Sequence, residues 1–293
     1  MRNVEKRPPA KRFEIPDFPQ PVLIPLNTPV VLMHGFGTLG PLMPEGLLHD
    51  AAMYLRSVGI RATAPTVTPF ASLSHRADQW KSRLRVLLDE GNESFHLIAH
   101  SMAGLEARLI AQDPRFAPHI ESVTTIATPH HGSCLAKTII EQPKFLKQWM
   151  DAVGRWVGDL VSPHGDSHFS AAIEDLTPEA IQARFVREDP VVPFFSYSAS
   201  VAPSPATLHP CLALPHSVIQ RHEGPNDGIV SERSAQYGIH LGRIAMDHAA
   251  HIGLHTPIQR GEKMTTVWTS IMRSLVAYEE TGHMEPIKLS ASQ

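Results

Sequence analysis

At 293 residues the chain is long enough for one large domain, burying roughly three-quarters of the surface that its unfolded form exposes. With 42% hydrophobic and 19% charged residues and a net charge of −3, it lacks the basic excess that nucleic acid or an anionic membrane selects. No apolar run approaches the ~20 residues of a membrane span, and the two cysteines, Cys134 and Cys211, read as reduced thiols.

The N-terminus carries Arg2, Lys6, Arg7, Lys11 and Arg12, interrupted by Pro8, Pro9, Pro16, Pro19 and Pro21, and no apolar stretch follows. This predicts an extended arm over 1–28, no secretory signal and a cytoplasmic protein; Glu5, Glu14 and Asp17 argue against a transit peptide. From there one domain, 29–293, is expected. Short β-rich runs at Val30–Met33, Ile60–Thr63, Phe95–Ala99 and Ser122–Ile126 alternate with amphipathic segments. Leu47, Leu48, Ala51, Ala52, Leu55 and Val58 recur at helical spacing, as do Trp80, Leu84, Leu87 and Leu88. Buried, non-alternating strands between helices predict an α/β architecture, a mostly parallel central sheet with helices on both faces. Apolar runs at Phe194–Tyr197 and Ser217–Gln220 predict two further strands, and Lys263–Tyr278 a closing helix.

An insertion over about 138–180 breaks the rhythm. Within it, Phe145–Val161 puts Phe145, Trp149, Val153, Trp156 and Leu160 on one helical side and Lys147, Gln148, Asp151, Arg155 and Asp159 on the other. Such a helix either packs permanently on the core or caps an acyl-binding cleft. Its place outside the alternation, with two of the four tryptophans, favours a cap that touches lipid surfaces transiently.

The chemistry centres on Ile98–Arg108, IAHSMAGLEAR, where Ser101 stands between an apolar run and a helix-forming segment. A serine there is a helix N-cap or the nucleophile of a strand–turn–helix elbow. The elbow needs small neighbours, and Ala99, Ala103 and Gly104 supply them. A serine hydroxyl attacks only when a nearby base takes its proton and a third group orients that base. Both lie downstream in the order serine, aspartate, histidine: Asp227 in the Gly224–Ser231 loop, then His248, with His251 as the competing base. Developing negative charge on oxygen needs fixed N–H donors. Met102, following the serine, offers one, and the Met33–Gly37 turn, MHGFG, offers another from Phe36.

Together these words resemble the microbial triacylglycerol lipase and esterase family of α/β-hydrolases. VVLMHGFG from Val30, IAHSMAGLEAR from Ile98, TTIATPHHGS from Thr124, DLTPEA from Asp175, GPNDGIVS from Gly224 and DHAAHIG from Asp247 carry the resemblance. It implies the α/β-hydrolase fold, a triad of Ser101, Asp227 and His248 rather than His251, and Phe36 and Met102 as the oxyanion hole. It also implies an ester or lipid substrate and no cofactor. Many relatives hold calcium with an aspartate two residues after the histidine; Ala250 stands there, so no calcium is expected at that position. Zinc on His248, His251 and His255 would need a helix that Gly253 and Pro257 disfavour, so no metal site is expected. His130 and His131 are expected to hydrogen-bond the loop after the Ser122–Ile126 strand. The same residues would serve an acyltransferase, and an inactive α/β-hydrolase scaffold is the reading from another class.

Overall fold

The computed structural model describes residues 22–36, 48–142, 144–145, 167–186, 190–254, 256, 258 and 263–284. Most of the N-terminal arm, Gly37, His255 and the amphipathic segment beyond Phe145 lie outside the described residues.

Six strands form one sheet in the order β2-β1-β3-β4-β5-β6, and every pairing is parallel. They are β1 (Val30–Met33), β2 (Ala62–Thr63), β3 (Phe95–His100), β4 (Ile120–Ile126), β5 (Phe194–Ala199) and β6 (Ile239–Ile244). The helices are α1 (His49–Ser57), α2 (Leu73–Asp89), α3 (Ala103–Ala111), α4 (Cys134–Glu141), α5 (Ser167–Asp175), α6 (Pro178–Arg184), α7 (Ala213–His222) and α8 (Met264–Thr281). Because side chains alternate along a strand, β1 sends Val30 and Leu32 to one face and Val31 and Met33 to the other. On the first face they pack with α1 and with the Val267, Trp268, Ile271 and Leu275 stripe of α8. On the second they meet Trp80 and Leu84 of α2 and Ala103, Ala107 and Ile110 of α3. With both faces covered, β1 and β3 are buried along their whole length, which is why they read as continuous apolar runs.

Two expectations need correction. Ser217–Gln220 is not a strand; it lies inside α7, where Pro215, His216 and Ile219 form the buried side. A run of four residues carries too little periodicity to separate the two states. The sixth strand is instead β6, which the sequence reading missed. Among the described residues it is an edge strand, paired with β5, and it carries exposed Ile239 and His240 together with Gly242 and Arg243. It therefore lacks the apolar run that marked the central strands.

The described end of the insertion is bound firmly to the body. The Asp175 carboxylate accepts the Leu73 N–H at the start of α2 (2.7 Å) and the Arg184 guanidinium (2.7 Å), while Arg184 also donates to Ser74 Oγ (2.6 Å). The Ser133 N–H donates to the Leu176 carbonyl at 2.9 Å.

Candidate active site

The elbow begins where β3 stops. Ser101 takes φ 57°, a left-handed conformation that costs a non-glycine residue about 1–3 kcal/mol and persists only where its surroundings enforce it. Three contacts do so. The Ser101 N–H donates to the Ile126 carbonyl (2.9 Å), its carbonyl accepts from Thr128 Oγ1 (2.7 Å), and Gly104 N–H returns to the same carbonyl (3.1 Å). Thr128 can stand so close because residue 104 is glycine: a Cβ there would sit 2.2 Å from Thr128 Oγ1. Gly104→Ala is accordingly expected to destabilise the fold by about 1–3 kcal/mol, although alanine is the better helix former. Urea unfolding of the variant checks this, and equal or higher stability would contradict it.

Downstream, the Gly224–Ser231 loop follows α7 rather than a strand, again unlike the sequence expectation. It is held by its own polar groups. Asn226 Oδ1 accepts the Gly228 N–H (2.9 Å), and Asp227 Oδ1 accepts the N–H groups of Ile229 (2.9 Å) and Val230 (2.8 Å). The other oxygen, Oδ2, accepts from His248 Nδ1 at 2.7 Å. Burial by itself would push the Asp227 carboxyl upward; His248, then His251 and the Val230 N–H, outweigh it and hold the carboxyl below its ordinary value. A carboxylate only accepts, so Nδ1 of His248 carries the proton and Nε2 faces Ser101 Oγ, 3.0 Å away, as acceptor. His248 sits between β6 and α8, its N–H on the Asp227 carbonyl (2.9 Å). Its neighbour Asp247 ties this loop to Ala250 N–H (2.8 Å) and His209 N–H (2.5 Å).

The structure thus brings Ser101, His248 and Asp227 into one hydrogen-bonded chain. His251 goes elsewhere: its Nδ1 lies 3.3 Å from His100 Nε2. His130 bonds Thr125 Oγ1 of β4 (3.0 Å), and His131 reaches the Gln236 carbonyl (3.0 Å). At the calcium position, Ala250 offers no side-chain oxygen and the Asp247 carboxylate is engaged by two N–H groups, so these residues do not fit a hard cation.

Met102 follows the serine in the chain, at the head of α3, and is fully buried. Phe36 follows Gly35. Gly35 lies against the serine, since a Cβ on it would be 2.6 Å from Ser101 Cβ and 2.9 Å from the His100 carbonyl. The Gly35 carbonyl accepts from Arg76 Nη2 (3.1 Å) and His34 Nδ1 (3.0 Å). His34 can donate there because its Nε2 accepts the Val67 N–H (3.1 Å). Burial, then Arg76, lowers His34 to about 4, so it is neutral at pH 7. Both donors pull on one edge of the planar Gly35–Phe36 peptide, which turns the Phe36 N–H the opposite way. The Phe36 ring meets Phe70 (5.2 Å between centroids) and Phe169 of α5 (5.5 Å).

Sequence reasoning overlooked Arg76 and its partner. Arg76 also donates to the His34 carbonyl (2.7 Å) and the Thr68 carbonyl (2.6 Å) and pairs with Glu106 of α3; both charged side chains are fully buried. Trp80 Nε1 completes the carboxylate at 2.6 Å. A signal was present, because Arg76 falls in the same stripe as Trp80 and Leu84, at four-residue spacing, where a charge must be paired.

Comparison with known proteins agrees with this architecture. No protein-family model matches the sequence. The chain is similar to lipase 1 from Pelosinus fermentans, with a TM-score of 0.62 at 19% identity over 85% of this chain and 99% of that one. It is also similar to a metagenomic carboxyl esterase, with a TM-score of 0.65 at 19% identity over 94% and 82% of the two chains. The protein has the α/β-hydrolase fold of lipases and esterases. In sequence, the chain is 27% identical over 215 residues to triacylglycerol lipase 2 of Saccharomyces cerevisiae. The match covers 70% of the chain and 62% of the length of that relative. Among the described residues no helix is long and apolar enough to cross a membrane.

Proposed function

We propose that this α/β-hydrolase cleaves carboxylic esters of the acylglycerol or simpler acyl type through an acyl-enzyme on Ser101. The observation that carries the reading is the Ser101–His248–Asp227 chain, closed at 3.0 and 2.7 Å. His248 takes the serine proton as Oγ attacks the ester carbonyl, and Asp227 steadies the imidazolium that forms. The N–H groups of Phe36 and Met102 receive the oxyanion. His248 then protonates the departing alcohol, and a water activated by the same histidine releases the acid. Partly buried Phe36 and Phe70 cluster with Phe169, and because Phe36 adjoins Gly35, which lies against the serine, this apolar cluster would receive the acyl portion.

Incubation with a fluorophosphonate followed by peptide mapping is expected to place the label on Ser101. The same preparation is expected to turn over a short aryl ester and tributyrin. Folded protein that neither takes the label nor hydrolyses any ester would overturn the reading. Acyl transfer to an added alcohol greatly exceeding hydrolysis would reassign the acyl-enzyme to a transferase.

A further inference from the structure

Two imidazoles that the proposed mechanism does not use share the pocket of His248. His100 ends β3 immediately before the serine, and His251 lies in the 3₁₀ turn Ala250–Ile252. The His100 ring centroid is 4.7 Å from that of His248 and 5.4 Å from that of His251. One nitrogen from each of the three rings lies within 4.8 Å of the others.

We propose that His100, His248 and His251 form a binding site for a divalent transition-metal ion of the zinc type, and that the ion inhibits by occupying the base. The inhibitory part rests on the esterase reading; the binding does not. Zinc sits about 2.0–2.1 Å from imidazole nitrogen, so two nitrogens of a tetrahedral shell are about 3.3 Å apart. His100 Nε2 and His251 Nδ1 stand at 3.3 Å, so one edge of that shell already exists. The ring donating in that hydrogen bond must shift its proton to its other nitrogen, after which both lone pairs turn to the ion. His248, the most exposed of the three rings at 14%, closes the remaining gap by a tilt that keeps Nδ1 on Asp227 and takes Nε2 from the serine to the ion. Asp227 on its Nδ1 is the carboxylate that orients many metal-bound histidines. Ser101 Oγ or a water fills the fourth position. Three imidazoles without a carboxylate select zinc, copper or nickel over magnesium and calcium.

Cobalt(II), added to chelator-treated protein, is expected to give the intense visible bands of a tetrahedral ion, and zinc a saturable calorimetric signal. Zinc is expected to slow ester hydrolysis reversibly, with activity restored by a chelator. His251→Gln and, separately, His100→Asn are each expected to raise the zinc concentration for half-inhibition by about tenfold or more, relative to that variant's own metal-free rate. Absence of tetrahedral cobalt bands, or half-inhibition unchanged in both variants, would overturn the proposal. If esters are not hydrolysed at all, the cobalt spectrum and calorimetry still report on the metal, so the two failures are distinguishable.

Discussion

Ser101→Ala and His248→Ala are each expected to lower kcat for ester hydrolysis by about 10⁶, because nucleophile and base act as one unit and either loss removes the unit. The expectation rests on a serine oxygen 3.0 Å from an imidazole whose far side is anchored by a buried carboxylate. His251→Ala is expected to cost about tenfold at most. Its Nδ1 faces His100, not the serine, so its removal disturbs packing behind the base without taking away the proton acceptor. Steady-state kinetics on one soluble aryl ester, with KM and kcat separated, checks all three variants. A His251 variant as damaged as the His248 variant would transfer the role of base to His251.

Glu106→Ala is expected to produce the largest loss of stability, about 3–5 kcal/mol, because it leaves the fully buried Arg76 guanidinium without its counter-charge. The Trp80 N–H loses its acceptor in the same step. Burial pushes the Glu106 carboxyl upward, opposed by Arg76 and the Trp80 N–H. The double variant Arg76→Met, Glu106→Leu is therefore expected to be more stable than Glu106→Ala, since it removes both charges and keeps the volume. Its catalysis is expected to stay poor, with kcat lowered by about 10² and KM little changed, because Arg76 no longer holds the Gly35–Phe36 peptide. Denaturant unfolding and kinetics on the same variants separate these effects. A Glu106→Ala cost below about 1 kcal/mol would show that the pair matters little.

Much of this architecture was legible because it is written locally. The runs at β1, β3, β4 and β5, the stripes of α1 and α2 and the closing helix α8 are short-range patterns, and Leu48, Ala52, Leu55, Trp80 and Leu84 of the two stripes are buried as expected. The elbow was legible for the same reason: a tight strand-to-helix turn demands small residues beside Ser101, and Gly104 against Thr128 shows why. The edge strand β6 was not, since half its surface faces water and its pattern resembles a loop.

Residue pattern was enough to show which chemistry was on offer: a serine in a turn that presents it, a later aspartate, two candidate histidines and a glycine turn after the first strand. The family resemblance favoured His248 over His251, and the fold brings that imidazole to the serine across 147 positions of chain. The tertiary structure alone paired Arg76 with Glu106 behind the Gly35–Phe36 peptide and gathered His100 and His251 beside the base. Turns and amphipathic faces follow from forces between near neighbours. Residue pattern alone left two histidines three residues apart open as the base; which of them meets the serine depends on the packing of β3, β6 and the Asp227 loop, which places His248 on Ser101 and His251 on His100.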